Sequence, residues 1–187
     1  MKNQYLIAGL GNIGKNYDLT RHNVGFMLID VLCAKYNIKL QNKDKFQALI
    51  SAIQPPNQNI LLACPTTYMN LSGSSIQKIK AYYKIDIQNI IIIHDDLDFP
   101  LGKIKVKQGG GHAGHNGLKS IDSAIGKNYI RVRIGIDKPN FDMDVSDYVL
   151  SRFNKNELAI INESLYKIIE NIHFLLENKL NEFMQSV

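Results

Sequence analysis

The spacing of apolar positions along the chain predicts a sheet of several strands. Residues 90–93 form a continuous β-branched run, which is typical of a central strand covered on both faces. Residues 103–107 and 131–136 alternate basic and apolar side chains, the pattern of a strand with one face in water. Short apolar runs predict further strands at residues 5–8, 46–53 and 60–63, with a turn at 55–59 between the last two.

Apolar residues at helical spacing predict the helices. These span residues 20–36, a segment that begins at Ser72, residues 118–125, and roughly residues 155–184. Thr20 is in position to cap the first helix, and Asn154 and Glu157 have the spacing of a capping box at the last. Strands that alternate with helices predict an α/β fold: one three-layer domain with a mixed, twisted sheet flanked by helices and a long C-terminal amphipathic helix.

Composition narrows the class of protein. A chain of 187 residues, 45% apolar and 21% charged, is expected to form a single domain over residues 1–187, neither disordered nor fibrous. No apolar stretch approaches the roughly 18 residues of a membrane span, and the N-terminal apolar run is too short for a signal peptide. We therefore expect a soluble, cytoplasmic, monomeric protein with no membrane association.

The positive charge is concentrated in one segment. Residues 103–138 carry eight lysines and arginines against Asp122 and Asp137, a balance of +6 that leaves −1 for the rest of the chain. Such a segment suggests a polyanionic partner, most simply nucleic acid. Lysines on the solvated face of a strand explain the same charge equally well.

The first glycine-rich segment, GLGNIG at residues 9–14, matches the dinucleotide-binding fingerprint letter by letter. That fingerprint needs a helix that begins within the glycines and an acidic residue at the end of a second strand. Here residues 15–19 are polar and irregular, and Asp30 lies inside the predicted helix. A nicotinamide-binding site is therefore disfavoured, although a nucleotide-dependent oxidoreductase stays an alternative to test.

A histidine and an aspartate are better candidates for chemistry. His22 lies in the first turn of the predicted helix, where the helix dipole lowers the pKa of an imidazole and keeps it neutral, as a general base must be. Asp95 follows the predicted central strand, at the sheet edge where α/β proteins bind ligands, and residues 9–12 follow the first strand in the same sense. The carboxylate would fix the imidazole tautomer, and His22 would take a proton from water.

Two loops add polar groups near that edge. Asn70 lies between a predicted strand and a predicted helix, where its amide could donate to a carbonyl or a developing oxyanion, but an ordinary turn residue is an equally good explanation. Residues 109–117 hold five glycines together with His112, His115 and Asn116. Glycines let the backbone approach a ligand closely, so this loop is a candidate binding element.

Other chemistries are disfavoured. Two cysteines cannot form a disulfide scaffold or a four-cysteine zinc site, and a metal site built from His112, His115 and the 95–96 pair lacks helical histidine spacing. Cys33 lies beside the apolar stripe of a helix, and Cys64 has no neighbouring base. The chain has no GxSxG motif of a serine hydrolase.

Six segments together resemble the bacterial-type peptidyl-tRNA hydrolase family. In chain order they are GLGNIGKNYDLTRHNVGFMLID (9–30), PTTYMNLSG (65–73), HDDLDFPLG (94–102), GGGHAGHNGLKS (109–120), RVRIG (131–135) and VSDYVL (145–150). The match extends from Leu6 to about Glu157. The resemblance implies an esterase without metal or cofactor, which cleaves the bond between the peptide's C-terminal carbonyl and the terminal ribose of tRNA and so recycles tRNA for translation.

The resemblance also implies a role for each matching residue. His22 would be the base that activates water, and Asp95 would orient it. Lys105 and Arg133, on the wet faces of two strands, would clamp the terminal phosphate of the tRNA. The implied substrate-binding residues are Asn12, Tyr17, Met69, Asn70, His115 and Asn116.

Three positions depart from the family pattern, and none of them is a predicted catalytic residue. Ile13 stands where proline is usual, Cys64 where lysine is common and Ala113 where glycine is usual. We expect a stiffer loop around Ala113 and fewer phosphate contacts near Cys64. An RNA-binding module without catalysis is the main alternative, but binding alone needs no histidine–aspartate pair.

Overall fold

In the computed structural model, which describes residues 3–54, 58–140 and 142–187, the described residues form a seven-stranded mixed sheet. Its order is β2-β3-β4-β1-β5-β7-β6. β4, β1, β5 and β7 are parallel neighbours, whereas β2–β3, β3–β4 and β6–β7 pair antiparallel. The strands are β1 (Asn3–Gly9), β2 (Gln41–Lys43), β3 (Ala48–Ile53), β4 (Gln58–Pro65), β5 (Ile90–Asp96), β6 (Ile104–Gln108) and β7 (Ile130–Gly135).

Helices cover both faces of this sheet. They are α1 (Val24–Lys35), α2 (Ser72–Tyr83), α3 (Asn116–Ile125), α4 (Val145–Leu150), α5 (Lys155–Leu176) and α6 (Leu180–Ser186). The apolar side chains of α1, α5 and α6 pack on one face, and those of α2 and α3 pack on the other. The predicted α/β fold with a mixed sheet between helices is confirmed. Within the described residues, no helix combines the length and apolarity needed to cross a membrane.

Strand β5 is the centre of the core, as its continuous β-branched run predicts. All seven of its residues are buried. Ile91 and Ile93 pack against the layer of α1 and α5, whereas Ile90 and Ile92 pack against the layer of α2 and α3. Successive side chains of a strand point to opposite faces, so the part of β5 that both helix layers cover, residues 90–93, is apolar at every position.

The first helix begins later than its apolar spacing predicts. A 3-10 turn, Arg21–Asn23, precedes α1, which starts at Val24. Thr20 makes no side-chain cap; its hydroxyl donates to the carbonyl of Tyr17 at 2.8 Å. His22 therefore lies in a tight turn between β1 and α1 rather than within the helix.

The C-terminal helix is divided in two. The helix α5 ends at Leu176, and Asn178 adopts a left-handed conformation (φ 57°) before α6 begins. The predicted capping box at Asn154 and Glu157 is confirmed. The apolar stripe nevertheless continues across the break, because both helices pack on the same face of the sheet.

The hairpin at the far edge of the sheet also differs in its boundaries. Strand β3 begins at Ala48 rather than at residue 46, because a 3-10 turn (Asp44–Phe46) and a left-handed Gln47 precede it. The short edge strand β2 is exposed throughout and has no apolar pattern that could predict it. Most of the turn expected at 55–59 lies outside the described residues.

Two glycines allow α1 to approach the sheet closely. A Cβ on Gly25 would lie 2.3 Å from the amide nitrogen of Leu10, and one on Gly9 would lie 2.1 Å from the carbonyl oxygen of Gly25. Real side chains never come this near to backbone atoms. The glycine pair therefore brings the turn before α1, with His22, to the carboxyl edge of the parallel strands.

Gly25→Ala is expected to destabilise the fold by about 1–3 kcal/mol or more, because the new methyl group meets backbone that cannot yield locally. Gly111→Ala is the matched control: a Cβ there has no atom within 4 Å, so the free energy of unfolding should change by less than about 0.5 kcal/mol. Urea denaturation of both variants measures the difference. Equal stability of the two would contradict this account of α1 packing.

Candidate active site

Asp95 joins two histidines at the carboxyl end of β5. Its Oδ1 accepts a hydrogen bond from Nδ1 of His22 at 2.8 Å and another from Nε2 of His115 at 3.0 Å. The carboxylate is only 3% exposed. The predicted approach of His22 to Asp95, 73 positions apart in the chain, is present in the structure.

The tautomers of both rings follow from their other contacts. The Nδ1 atom of His115 accepts from the backbone amides of Gly117 and Leu118 at 3.1 and 3.3 Å, as the N-cap of α3. An accepting Nδ1 carries no proton, so His115 must donate to Asp95 through Nε2–H. His22 donates to the same oxygen through Nδ1–H, and its Nε2 is then the basic nitrogen.

The pKa of His22 differs from the value expected for a histidine at a helix N-terminus. Burial lowers the pKa of His22, but the charge of Asp95 and the hydrogen bond to it outweigh burial, and the pKa lies above the ordinary 6.5. The sequence-based prediction of a lowered pKa was wrong, because the carboxylate acts at hydrogen-bond distance. Burial raises the pKa of Asp95, yet the two histidines hold it well below its usual value.

A third histidine, His94, supports the ring of His115. Its Nδ1 is 2.6 Å from the carbonyl oxygen of Asp95, and its ring meets that of His115 edge to face at 5.1 Å. Burial, with the nearby His115, lowers the pKa of His94 to about 3. His94 is thus a neutral, buried wall of the site. It is the first residue of the segment 94–102 that carries the family resemblance, but no role was predicted for it from the sequence.

Asn12 is held by three hydrogen bonds, two of them to the side chain of Asn23. Its backbone amide donates to Oδ1 of Asn23, and its carbonyl accepts from Nδ2 of Asn23, at 2.8 and 2.9 Å. Its own Oδ1 accepts from the backbone amide of Met69 at 2.9 Å. The Nδ2 group of Asn12 is therefore the end that can donate to a ligand. The sequence analysis missed Asn23, although it directly follows His22.

Gly117 is the point where the loops around the site meet. A Cβ on this residue would lie 2.6 Å from Sδ of Met69 and 3.1 Å from Cε1 of His115. Met69 opens the 3-10 turn Met69–Leu71, which also carries the exposed Asn70. The three loops that bear Asn12, Asn70 and Asn116 are thus linked through Met69 and the first turn of α3.

A cleft of about 640 Å³ opens over the pair. Of the residues predicted for the site, it is lined by His22, Asp95, His115 and Asn116. The predicted residues that do not line it are Asn12, Tyr17, Met69, Asn70, Lys105 and Arg133. Val145 and Val149 of α4 form its apolar wall.

The basic strands β6 and β7 lie beside this edge of the sheet. Lys105 and Arg133 are directly opposite each other in the antiparallel register. Arg133 is not on an open wet face: its guanidinium is 17% exposed, its Nε donates to Asp96 at 2.8 Å, and it lies over the ring of Phe99. Asp96 engages only one edge of the guanidinium.

Arg131 shows that the expectation of a wet basic face on β7 was wrong. Its side chain is fully buried, with an ion pair to Asp122 of α3 at 2.8 Å. Its Nη1 also donates to the carbonyl of Gly111 at 2.7 Å and so fastens the glycine-rich loop. Alternation alone cannot show that a helix covers one basic position of the strand, Arg131.

The three residues that depart from the family pattern lie in different structural environments. Cys64 is buried in β4 and faces the core, so it offers no surface to a phosphate. Ala113 adopts a left-handed backbone (φ 47°), which glycine takes without the cost of about 1–2 kcal/mol that alanine bears. Ile13 is 44% exposed beside Asn12.

His22, Asp95 and His115 place their ligand atoms within 4.8 Å of one another, as a metal site would. The two ring nitrogens, however, are 2.8 and 3.0 Å from one carboxylate oxygen. Ligands about 2.0 Å from a tetrahedral ion are spaced farther apart than that, about 3.3 Å. The cluster is therefore built as a hydrogen-bonded triad. The dinucleotide fingerprint also fails, because α1 begins ten residues after Gly14.

This geometry defines an α/β protein with a buried histidine–aspartate pair at the carboxyl edge of its sheet. The family model described as Peptidyl-tRNA hydrolase matches residues 6–187, beyond the segment ending near Glu157 that carried the sequence resemblance. The chain belongs to the peptidyl-tRNA hydrolase family, and it is an enzyme of the hydrolase class.

Individual relatives agree with this membership. Peptidyl-tRNA hydrolase of Rickettsia bellii (strain RML369-C) is 49% identical over 178 residues, covering 95% of this chain and 96% of that protein. The protein of the same name from Rickettsia prowazekii (strain Madrid E) is 46% identical, over 97% and 98% of the two chains. The crystal structure of peptidyl-tRNA hydrolase from Acinetobacter baumannii at 1.00 Å resolution is 38% identical, with a TM-score of 0.93 over 100% of this chain and 95% of that one.

The substitution Asp95→Asn should change the pKa of His22 from a raised value to a lowered one. Without the carboxylate charge, burial acts alone and the pKa falls below 6.5, whereas the native ring titrates above that value. NMR titration of the His22 ring measures both. Asp98→Asn is the control, because Asp98 is exposed and pairs with Lys138. An unchanged His22 titration in Asp95→Asn would contradict the assignment of Asp95 as the cause.

Proposed function

We propose that this protein hydrolyses the ester bond of peptidyl-tRNA by general-base activation of water, with His22 as the base. The observation that carries the proposal is the 2.8 Å hydrogen bond from His22 Nδ1 to the buried Asp95. That bond fixes the imidazole with Nε2 unprotonated at the cleft, where a water molecule and an ester can meet. The names of the relatives supply the substrate class.

The reaction needs only groups that the cleft provides. His22 Nε2 takes a proton from water as the oxygen attacks the peptide carbonyl, and a tetrahedral oxyanion forms. The amide of Asn116 at the rim, and that of Asn70 on the adjoining turn, are the candidates to donate to that oxyanion. Collapse breaks the carbonyl–ribose bond, and the protonated His22 returns its proton to the departing ribose oxygen.

Asp95 stabilises the imidazolium that forms during this step. Its negative charge is held by two donors despite its burial, so it does not need to reorganise as His22 becomes positive. His115 keeps the carboxylate in place and, through its contact with the α3 backbone, ties it to a rigid element. We assign His115 a positioning role at the wall of the substrate cleft.

Asn12 and its neighbours are proposed to hold the substrate near the base. Oδ1 of Asn12 accepts from the backbone amide of Met69, which orients the side chain and leaves Nδ2 to donate to a carbonyl or hydroxyl of the substrate. Tyr17 and Met69 are the remaining residues that the family resemblance assigns to substrate binding. Tyr17 is half-buried in the 3-10 turn that follows the glycine segment.

The paired strands β6 and β7 are proposed to hold the phosphate of the tRNA end. Two like charges directly opposite across a sheet, Lys105 and Arg133, are unfavourable on their own, and Asp96 neutralises only part of the pair. A phosphate between them would remove that repulsion. The pKa of the neighbouring Lys107 is lowered by burial and then by Arg133 and Arg131, which reflects the same positive potential.

Hydrolysis releases the peptide and an unesterified tRNA, so recycling of tRNA follows from the same reaction. We place this activity in a single catalytic domain over residues 1–187. Peptidyl-tRNA is formed where translation takes place, and the proposed site of action is accordingly the cytoplasm.

His22→Ala should lower kcat for an N-blocked aminoacyl-tRNA by about 10²- to 10⁴-fold, because general-base catalysis contributes that much. Binding of tRNA should stay within about twofold of the native value. His173→Ala is the matched control, since His173 is exposed on α5. Initial rates and filter binding measure the two effects. Hydrolysis at the native rate by His22→Ala would remove His22 as the base, and loss of binding alone would favour the RNA-binding module.

Lys105→Ala and Arg133→Ala should each weaken tRNA binding and flatten its dependence on salt. The slope of log Kd against log salt concentration is expected to fall by about one for each phosphate contact removed. Lys167→Ala serves as the control, because Lys167 pairs with Glu163 on the outer face of α5. An unchanged slope for Arg133→Ala would exclude Arg133 from the phosphate site.

A further inference from the structure

The turn that carries His22 is attached to a distant part of the chain. The backbone amide of Arg21 donates to the carbonyl of Ser151 at 3.0 Å, and that of Phe153 donates to the carbonyl of Leu19 at 3.1 Å. Thr20 and Arg152 form an isolated antiparallel bridge between the same two segments. The connection between α4 and α5 therefore fixes the backbone of the turn.

The side chain of Arg21 strengthens this attachment. It is 9% exposed, its Nε donates to Oγ of Ser151 at 3.2 Å, and its Nη2 donates to Oε1 of Glu157 at 2.8 Å. The guanidinium lies 4.5 Å from the ring centroid of Tyr148 and 5.0 Å from that of Phe153. One buried cation thus contacts α4, the connection after it and the first turn of α5.

Glu157 ties the same cation to the N-terminus of α5. Its Oε2 accepts from the backbone amide of Asn154 in the capping box at 2.7 Å, while Oε1 receives Arg21. Burial raises the pKa of this carboxyl, but the amide of Asn154 and the guanidinium outweigh it and lower the pKa. The ionised Glu157 is therefore part of the helix end and of the His22 turn at once.

Helix α4 also forms a wall of the catalytic cleft. Val145 and Val149 face the cleft, whereas Tyr148 of the same helix covers Arg21 and donates its hydroxyl proton to the carbonyl of Ile136. A ligand that presses on the valine face of α4 acts on an element that touches Arg21. The residue next to Arg21 in the chain is the proposed base.

We propose that Arg21 is a positioning residue for the hydrolysis: it holds the turn of His22 against α4 and α5, so that Nδ1 of His22 stays on Asp95 while substrate fills the cleft. This inference rests on the proposed function. A displacement of about 1 Å in a reacting group can cost a large part of its catalytic effect. Loss of Arg21 should therefore reduce the chemical step more than substrate binding.

Arg21→Gln and Arg21→Lys test this role, with Arg152→Gln as the matched control. Arg152 belongs to the same bridge, but its side chain is exposed and donates a hydrogen bond from Nη2 to the carbonyl of Lys15 at 3.3 Å. Arg21→Gln should lower kcat about tenfold or more, with KM within about threefold of the native value. Arg21→Lys keeps the charge opposite Glu157 but lacks the forked donors, so it should recover only part of kcat. The control should keep native kcat and KM.

The NMR signal of the His22 Nδ1 proton is a readout that a merely structural role would not change. We expect this signal to be sharp in the native enzyme and in Arg152→Gln, and broadened or absent in Arg21→Gln. Folded Arg21 variants with native kcat and an unchanged signal would overturn the proposal, as would a rise in KM alone. If Arg21→Gln does not fold, Arg21→Lys and Ser151→Ala decide by the same measurements.

The same set of measurements separates this inference from the proposed function. A native enzyme that does not hydrolyse peptidyl-tRNA would refute the function, and the His22 signal in the variants would still show whether Arg21 orients the ring. Native hydrolysis that is unaffected in folded Arg21 variants would refute the positioning role and leave the function standing.

Discussion

The site depends on one buried carboxylate. A carboxylate as buried as Asp95 is unfavourable unless donors compensate for the lost water, and here His22 and His115 both donate to Oδ1. Neither ring can turn away without leaving the charge uncompensated. The parallel strand β5, the turn before α1 and the N-terminus of α3 must therefore meet at one point, and the glycine contact between Gly9 and Gly25 lets them do so.

Several side chains of this region serve a helix end and the site together. His115 caps α3 through Nδ1 and holds Asp95 through Nε2. Glu157 closes the capping box of α5 with one oxygen and binds Arg21 with the other. The geometry around His22 is consequently as rigid as the helices that bear these caps. The same hydrogen bonds stabilise the fold and fix the positions of the catalytic residues.

Local sequence patterns predicted secondary structure and burial correctly wherever a residue's neighbours in the chain decide them. The run at residues 90–93 predicted a strand covered on both faces, and Asn154 with Glu157 predicted the capping box. Asp95 and residues 9–12 were predicted to line one crevice with His22, because each follows a strand and parallel strands end at one edge of a sheet, and His22 does lie against Asp95. The start of α1 was missed, because the 3-10 turn Arg21–Asn23 lies between Thr20 and the helix.

The sequence by itself determined the α/β class, the order of most strands and helices and the resemblance to the family, and it predicted that His22 and Asp95 lie at one edge of the sheet. Only the tertiary structure decided the electrostatics and the partners. It showed that the pKa of His22 is raised, that Arg131 is buried against Asp122, and that Arg21 joins the turn of the base to α5. The reason is physical: pairing and burial depend on which segments, far apart in the chain, lie within about 3 Å of one another, and no local period encodes that distance.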